Sequence, residues 1–445
     1  MHAVETFARF ATGFATGFAR MPLSAEVAHH AQRAVIDWYA SIYPGLDTPA
    51  VQVLMQTLAD DLDRGAARLV QGRNATPRAA ALIQGTAAHA AEVDDSFRDA
   101  MYHPGAATIA AALAVAQSTA AGGPAFLRAV VLGYEISTRI GVVMGRPHYR
   151  YWHNTGTMGS FGAAAAAASL LQLDEAAFAH ALAIAATMTA GLQQAFRLEA
   201  MAKPLHAGRA AEAGVLAAQL AAGGLRSSLD VLEGESGLGQ AMSEGPDWSA
   251  VGATLGSDFH ITRLTFKNHI GCGHTFAAID GALALQQRHG FTHADIERVS
   301  LGVYQPTLDI APHVDPQNAD QARFSLHYMV ATALVHGSVR LSAFEPDRLN
   351  DPATRALMQR IHKALDLAVD AAFPARRGAH VTITLRDGRQ LTLLQPDRKG
   401  DPELPLSDAD LEGKLMELAT PVIGETPARA LLARIWQLHQ SAQLP

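Results

Sequence analysis

Alanine constrains this chain more than any other feature. Up to about Gly256 it dominates nearly every segment, with the run Ala163 to Ala168 the densest stretch. Ala has the highest helix propensity, and its small side chain lets neighbouring helices approach closely. Gly or Pro punctuates most segment boundaries, at Gly72, Pro104, Gly122-Gly123, Gly145 and Gly223-Gly224. Ser24 is a fitting N-cap for a helix opening at Ala25. Further helices are predicted over 48–70, 77–93, 106–121, 124–141, 157–172, 174–190 and 204–222. Phe at 7, 10, 14 and 18 forms the i, i+3/i+4 stripe of an amphipathic helix lying on the body.

The texture changes near residue 260. Residues 297–304 alternate and read as a strand. Residues 380–393 are two alternating runs around Asp387-Gly388, a strong hairpin signal. Segments 321–336 and 350–365 read as helices, and helix returns over 408–420 and 426–441. The expected fold is mainly α. It is a large all-α helical domain, 1–264 and 401–445, plus a smaller α+β lid domain, 265–400.

At 445 residues the chain exceeds the size at which a single core stops growing, which fits two domains. Hydrophobic content of 49% with 17% charged residues excludes a disordered chain. A net charge of -7 without a basic stripe argues against nucleic acid as partner. Any anionic substrate must be held by local cations. The single cysteine, Cys272, excludes an intrachain disulfide and a cysteine-held iron–sulfur cluster, and fits a reducing compartment. No apolar run reaches the roughly 18–20 large apolar residues of a membrane span. The N-terminal residues lack a secretory pattern, so a cytoplasmic location is expected.

Polar islands interrupt the alanine background. They are Glu92-Val-Asp-Asp-Ser96 with Tyr102-His-Pro-Gly105, Trp152-His-Asn-Thr-Gly-Thr157, Lys203-Pro-Leu-His-Ala-Gly-Arg209, and Phe266-Lys-Asn-His-Ile-Gly-Cys-Gly-His274. Such groups are costly to bury unpaired, so their clustering at helix ends points to one shared pocket of acid/base groups and cations. A carboxylate beside an imidazole fixes its tautomer and raises its basicity, the ordinary route to a general base. His103-Pro104 opens a helix, because Pro suits the first helical position. Trp152-His153 also precedes a helix, with Thr155 or Thr157 as cap. Lys203-Pro204 is a third opening, and cations there oppose the helix dipole unless an anion offsets them. Each island also reads as ordinary caps and solvated charges. His269, Cys272 and His274 match no standard zinc spacing, so no metal is expected. The chain has no Gly-x-Ser-x-Gly elbow, phosphate-binding loop or dinucleotide fingerprint.

In this order the islands resemble the MmgE/PrpD family, whose members include 2-methylcitrate dehydratase, cis-aconitate decarboxylase and iminodisuccinate epimerase. The resemblance runs through Gly85 to Ser96, His103-Pro104, Trp152-His153 with Gly156-Thr157, Lys203 to His206, Phe266-Lys267 and Cys272 to His274. It continues through Phe324 to Tyr328, Leu341 to Phe344 and the tail Pro405 to Lys414. It implies a helical domain with an α+β lid, a cleft between them and a homodimer. The active-site positions it implies are Glu92, Ser96, His103, His153, Lys203, Lys267 and Tyr328. The family often has Asp in place of Glu92 and Thr in place of Ser96. Some members have Ser in place of Gly105, a hydroxyl that could contact a substrate carboxylate.

The expected function is a cofactor-independent lyase acting beside a carboxylate of a small di- or tricarboxylic acid, as a 2-methylcitrate dehydratase does. Epimerisation of an iminodisuccinate-like acid and cis-aconitate-type decarboxylation are the alternatives. A catalytically silent carboxylate-binding protein is the alternative from another class. His103 is the leading base or acid, steered by Glu92 or Asp94, and His153 is the second acid/base group. Lys203 and Lys267 hold carboxylates and developing charge, and Tyr328 donates a hydrogen bond from the lid. Ser96, Thr157, His206, Arg209 and His274 complete the expected substrate contacts. Neither a metal, a nucleic acid nor a membrane enters this expectation.

Overall fold

The computed structural model describes residues 1–17, 23–196 and 201–445. Among the described residues the chain is mainly α with two small sheets. It forms two compact units, Met1–Thr265 with Ser407–Pro445, and Phe266–Leu406. Among the described residues no helix is long and apolar enough to cross a membrane.

The first unit is built from helices α1 (Ala3–Gly17), α2 (Ala25–Gly45), α3 (Pro49–Thr57), α4 (Pro77–Ala90), α5 (Pro104–Ser118), α6 (Gly123–Tyr149), α7 (Asn154–Leu170), α8 (Glu175–Ala186) and α9 (Ala202–Ala222). Ser24 caps α2 by accepting from the Val27 amide, as its position predicts. α7 lies at the centre. Every residue from Asn154 to Ala168 is buried, and a helix apolar all round can only sit inside a core. It packs on α9, α6 and α5, and α4 packs on α9. Small residues set these spacings. A Cβ on Gly208 of α9 would stand 2.2 Å from the carbonyl of Leu82 in α4, so a larger residue there forces the helices apart. In α1 the buried stripe is Ala3, Val4, Phe7, Ala8 and Ala11, with Phe10 half-buried. Phe18 lies outside the described residues. The helix Asp408–Ile423 returns to pack on α2.

Three predicted helices need correction. Segment 48–70 is helical only through α3, and then forms strand β1 (Leu62–Arg68), antiparallel to β2 (Asn74–Ala75). Asp63 and Gly65 have φ of 59° and 73°, and left-handed residues cannot continue a right-handed helix. Segment 350–365 is helix only over Pro352–Met358. Residues Ile361–Leu365 form a strand of the second unit, where pairing distant in sequence overrides local helix preference. The predicted helix over 321–336 is two, Ala319–Arg323 and Leu326–His336, because Ser325 caps the second.

The second unit holds one four-stranded sheet in the order β4-β3-β5-β6, with β3 (Ile296–Val303), β4 (Ile361–Leu365), β5 (Ala379–Leu385) and β6 (Gln390–Gln395). β3 and β4 are parallel, and the other pairs are antiparallel. β5 and β6 form the predicted hairpin, with Gly388 at φ 90° in its turn. Ala379, Val381, Ile383 and Leu385 alternate inward, and the helix Phe276–His289 covers that strand.

Candidate functional site

Three helix N-termini and one C-terminus of the first unit supply the polar cluster. His103 is the N-cap of α5, His153 the N-cap of α7, and Lys203 is the second residue of α9. His89 lies in the last turn of α4. Pro104 at the first helical position holds His103 extended, at φ -107° and ψ 91°. The α5 and α7 starts are tied together, since the His103 amide donates to Thr155 Oγ1 at 3.3 Å. Asn154 Nδ2 donates to the Ala100 carbonyl at 2.7 Å and fixes the intervening loop. Free amides and the dipole at such ends favour anions and disfavour extra positive charge.

The loop 91–103 is strained at both ends. Glu92 has φ 60° and Met101 φ 51°, where non-glycine residues cost roughly 1–3 kcal/mol each. Within the loop Phe97 and Tyr102 exchange backbone hydrogen bonds of 2.7 and 3.3 Å. The loop thereby presents Glu92, Asp94, Asp95 and His103 from one short segment.

Four imidazoles form a chain. Ring centroids are 5.0 Å apart for His89–His103, 5.5 Å for His89–His153 and 5.3 Å for His153–His206. His103 Nδ1 donates to the Asp95 carbonyl at 2.6 Å and lies 3.5 Å from Asp94 Oδ2. A carbonyl only accepts, so the neutral His103 ring carries its proton on Nδ1 and its lone pair on Nε2. His89 Nδ1 is 2.7 Å from the same Asp94 oxygen. His153 Nδ1 and His206 Nδ1 are 3.0 Å apart, so one of them holds the shared proton. Burial holds His153 well below the usual imidazole range, reinforced by His89, Lys203, His206 and His103. His206 is lowered by burial, His89 and Lys203. With a 19% exposed side chain, His103 is far more accessible than His89 or His153.

Lys203 forms an ion pair with Glu92. Burial works to lower the Lys203 ammonium, but the Glu92 carboxylate beside it leaves it above its ordinary value. Behind the cluster, Asp95 accepts from the Gly105 amide at 3.0 Å and from Tyr134 Oη at 2.7 Å. Burial and the nearby Asp37 push Asp95 up to about 8. Gly105 faces this buried network. A Cβ there would stand 2.7 Å from Tyr134 Oη and 2.8 Å from Asp95 Oδ1, so the position faces packing and not an open pocket. Sequence reading missed the anchor of the loop. Lys414 Nζ donates to Asp37 Oδ1 and to the Val93 carbonyl, both at 2.6 Å. Its one sequence signal was a lysine set at helical spacing among the apolar residues Leu411, Leu415 and Leu418, all buried.

The structure thus brings together Glu92, Asp94, His103, His153, Lys203 and His206, and adds His89. Other expected residues lie elsewhere or are occupied. Thr157 is fully buried with Oγ1 2.8 Å from His148 Nε2. It caps nothing and faces packing, which corrects its expected contact with substrate. Arg209 is exposed and paired with Glu212. Ser96 is half-buried, its backbone bridged to Thr265. In the second unit Lys267 is buried. Tyr328 is fully buried and donates to the Ala343 carbonyl, so its hydroxyl is committed within that unit, contrary to the expected donor role. His274 Nδ1 is 2.8 Å from Tyr304 Oη, and burial with Arg377 and Arg398 lowers it to about 3.

His89, Asp94 and His103 offer ligand atoms within 4.8 Å of one another, the spacing of a metal site. The 2.7 Å between His89 Nδ1 and Asp94 Oδ2 is a hydrogen-bond length. Two donors on one zinc at about 2.0–2.2 Å stand about 3.3 Å or more apart, so these atoms share a proton. His269 bonds Asp280 Oδ1 at 2.8 Å, apart from the His274–Tyr304 pair.

Comparison with known proteins gives two family matches. The MmgE/PrpD N-terminal domain matches residues 7–251, and the MmgE/PrpD C-terminal domain matches residues 269–440. The second match runs past the Leu406 boundary into helices that pack with the first unit. The chain is 26% identical over 449 residues to the cis-aconitate decarboxylase-like protein oryM of Aspergillus oryzae, covering 95% of this chain and 92% of that one. It is 27% identical to cis-aconitate decarboxylase of Mus musculus, covering 82% and 76%. The human cis-aconitate decarboxylase is also 27% identical, with 82% and 77% covered.

Proposed function

The chain belongs to the MmgE/PrpD family, and on that premise we propose that it is a lyase acting beside a carboxylate of a small di- or tricarboxylic acid. The reaction needs neither metal nor organic cofactor. The observation that carries this reading is the pair of imidazoles at two helix N-cap positions, His103 and His153, linked through His89 and set beside the Lys203 ammonium. His103 takes the proton α to a carboxylate at its Nε2. The electron pair left on carbon delocalises into that carboxylate. Lys203 and the positive dipole ends of α5, α7 and α9 stabilise the charge that develops. The proton taken up by His103 passes on to the β-hydroxyl, which leaves as water, while the neutral His153–His206 pair hydrogen-bonds that hydroxyl as it departs. The Asp94 carboxylate stabilises the imidazolium that forms on His103.

A second reading has its own support. The curated relatives above are named for cis-aconitate decarboxylation. Loss of CO2 leaves an electron pair on carbon that the same site would accept and then protonate. Epimerisation would use the two imidazoles on opposite faces of one carbon. A panel of 2-methylcitrate, citrate, cis-aconitate and iminodisuccinate separates these, because product identity differs in each case. On the substrate turned over, His103→Ala should lower kcat by about 10²–10⁴-fold with a smaller change in KM. Binding of these acids without turnover of any would instead identify a silent binding protein. A His103→Ala protein at wild-type turnover would overturn the assignment of the base.

A further inference from the structure

Resting on the acid/base reading of His103, we propose that His89 is a positioning residue for the reaction, acting through Asp94. It donates from Nδ1 to the carboxylate that faces His103 and fixes how much of that charge His103 feels.

The geometry gives His89 one polar bond and no second use. Its Nδ1 lies 2.7 Å from Asp94 Oδ2. Its Nε2 is buried and has no hydrogen-bond partner. The residue is 1% exposed, so the ring is held by packing on every side. A buried Nε2 without a partner is tolerable as a lone pair and costly as an N–H, which assigns the ring proton to Nδ1. Asp94 Oδ2 then lies between two imidazoles, 2.7 Å from His89 and 3.5 Å from His103. His89 takes the closer and stronger bond. It draws charge density from the oxygen and sets the distance at which His103 meets it. The groups facing this pair are Asp94 and the Asp95 carbonyl on the loop, His153 on α7, and His206 with Lys203 on α9. His89 is hydrogen-bonded to the carboxylate and shut off from solvent.

Side-chain geometry separates this role from direct contact with substrate. The Asn amide nitrogen occupies nearly the place of imidazole Nδ1, and the Gln amide reaches nearly the place of Nε2. His89→Asn therefore keeps the bond to Asp94, whereas His89→Gln and His89→Phe lose it. Two readouts are compared: steady-state kinetics on whichever acid of the panel the wild type converts, and the titration of His103 followed by NMR on histidine-labelled protein. In His89→Phe and His89→Gln, kcat should fall about 10–100-fold with KM changed less than about threefold, the usual effect of an outer positioning group. Asp94, freed of one donor, should raise the His103 titration midpoint by at least about half a unit. His89→Asn should restore both to near wild type. If His89→Phe does not fold, the Asn and Gln variants carry the comparison alone. An unshifted His103 titration in His89→Gln overturns the proposal, as does rescue by Gln and not by Asn. The NMR arm needs no turnover. A normal His103→Ala rate would therefore sink the function reading, while an unmoved His103 titration would sink only this inference.

Discussion

Lys414 holds the loop 91–103 from a distance of more than three hundred residues, and its removal makes a quantitative test. Its ammonium is 2.6 Å from both Asp37 Oδ1 and the Val93 carbonyl, with side chains only 5% and 1% exposed at Lys414 and Asp37. Lys414→Ala leaves a buried carboxylate without its cation, which costs about 3–5 kcal/mol. The first unit has roughly 300 residues. At an unfolding entropy of about 2.1 cal/mol/K per residue, each kcal/mol is worth about 1.6 °C in that unit's Tm. The expected drop is therefore about 5–8 °C by differential scanning calorimetry. Val93 sits between Glu92 and Asp94, so the loop should also relax and lower kcat by about 10–100-fold. The double variant Asp37→Leu, Lys414→Met removes both charges and should recover much of the lost stability, because neither ion remains unpaired. A Tm within about 2 °C of wild type for Lys414→Ala would refute the reasoning. So would a double variant as unstable as the single one.

Two further perturbations probe the network behind the imidazoles. Asp95 is pushed up to about 8 by burial and Asp37, while in the unfolded chain it titrates near about 4, so the fold holds a proton that the unfolded chain releases. That contribution is complete below about pH 4 and is lost as pH rises toward about 8. Asn cannot titrate, so the Tm of Asp95→Asn relative to wild type should rise between about pH 5 and pH 8, and a constant difference would contradict the protonated assignment. Gly105→Ser would set a Cβ 2.7 Å from Tyr134 Oη and 2.8 Å from Asp95 Oδ1. It should cost about 1–3 kcal/mol in chemical denaturation through overpacking, and an unchanged midpoint would show that the network yields freely.

What the sequence made legible is what local physics decides. Pro104 marks where α5 begins, and α7 and α9 begin two to three residues ahead of the helices expected at 157 and 204, so the seats of His103, His153 and Lys203 near helix starts were legible. The hairpin of β5 and β6 follows from Asp387-Gly388 and strict alternation. The rest depends on partners distant in sequence. Strand β4 forms because β3 lies beside it, and nothing in Ile361–Leu365 alone requires that. Thr157 and Tyr328 look available as polar side chains until packing assigns their hydroxyls to His148 and Ala343. The bond from Lys414 to Val93 spans the chain and has no local signature. His89 was visible as a residue, but its role depends on the bend that brings Asp94 back over the end of α4.

Glu92 joins backbone and chemistry in one residue. Its φ of 60° is a conformation suited to glycine, yet the position carries a carboxylate paired with Lys203. The strain is offset only if that carboxylate matters. A substrate carboxylate arriving at Lys203 must compete with Glu92 for the same ammonium. Glu92→Gln keeps the shape and removes the charge, so it should free Lys203 for an external anion. Binding of an unreactive tricarboxylate such as tricarballylate, measured by calorimetry, should tighten by about 3–10-fold, or about 0.7–1.4 kcal/mol. The gain should survive high salt with little loss, because a partly buried ammonium is only weakly screened. Turnover should not follow affinity. If Glu92 also limits where the ammonium sits during reaction, kcat falls while Kd improves, the mark of a group that matters more in the transition state than in binding. Weaker tricarballylate binding in Glu92→Gln would refute the competition, and would mean that Glu92 holds Lys203 in its binding position instead of occupying it.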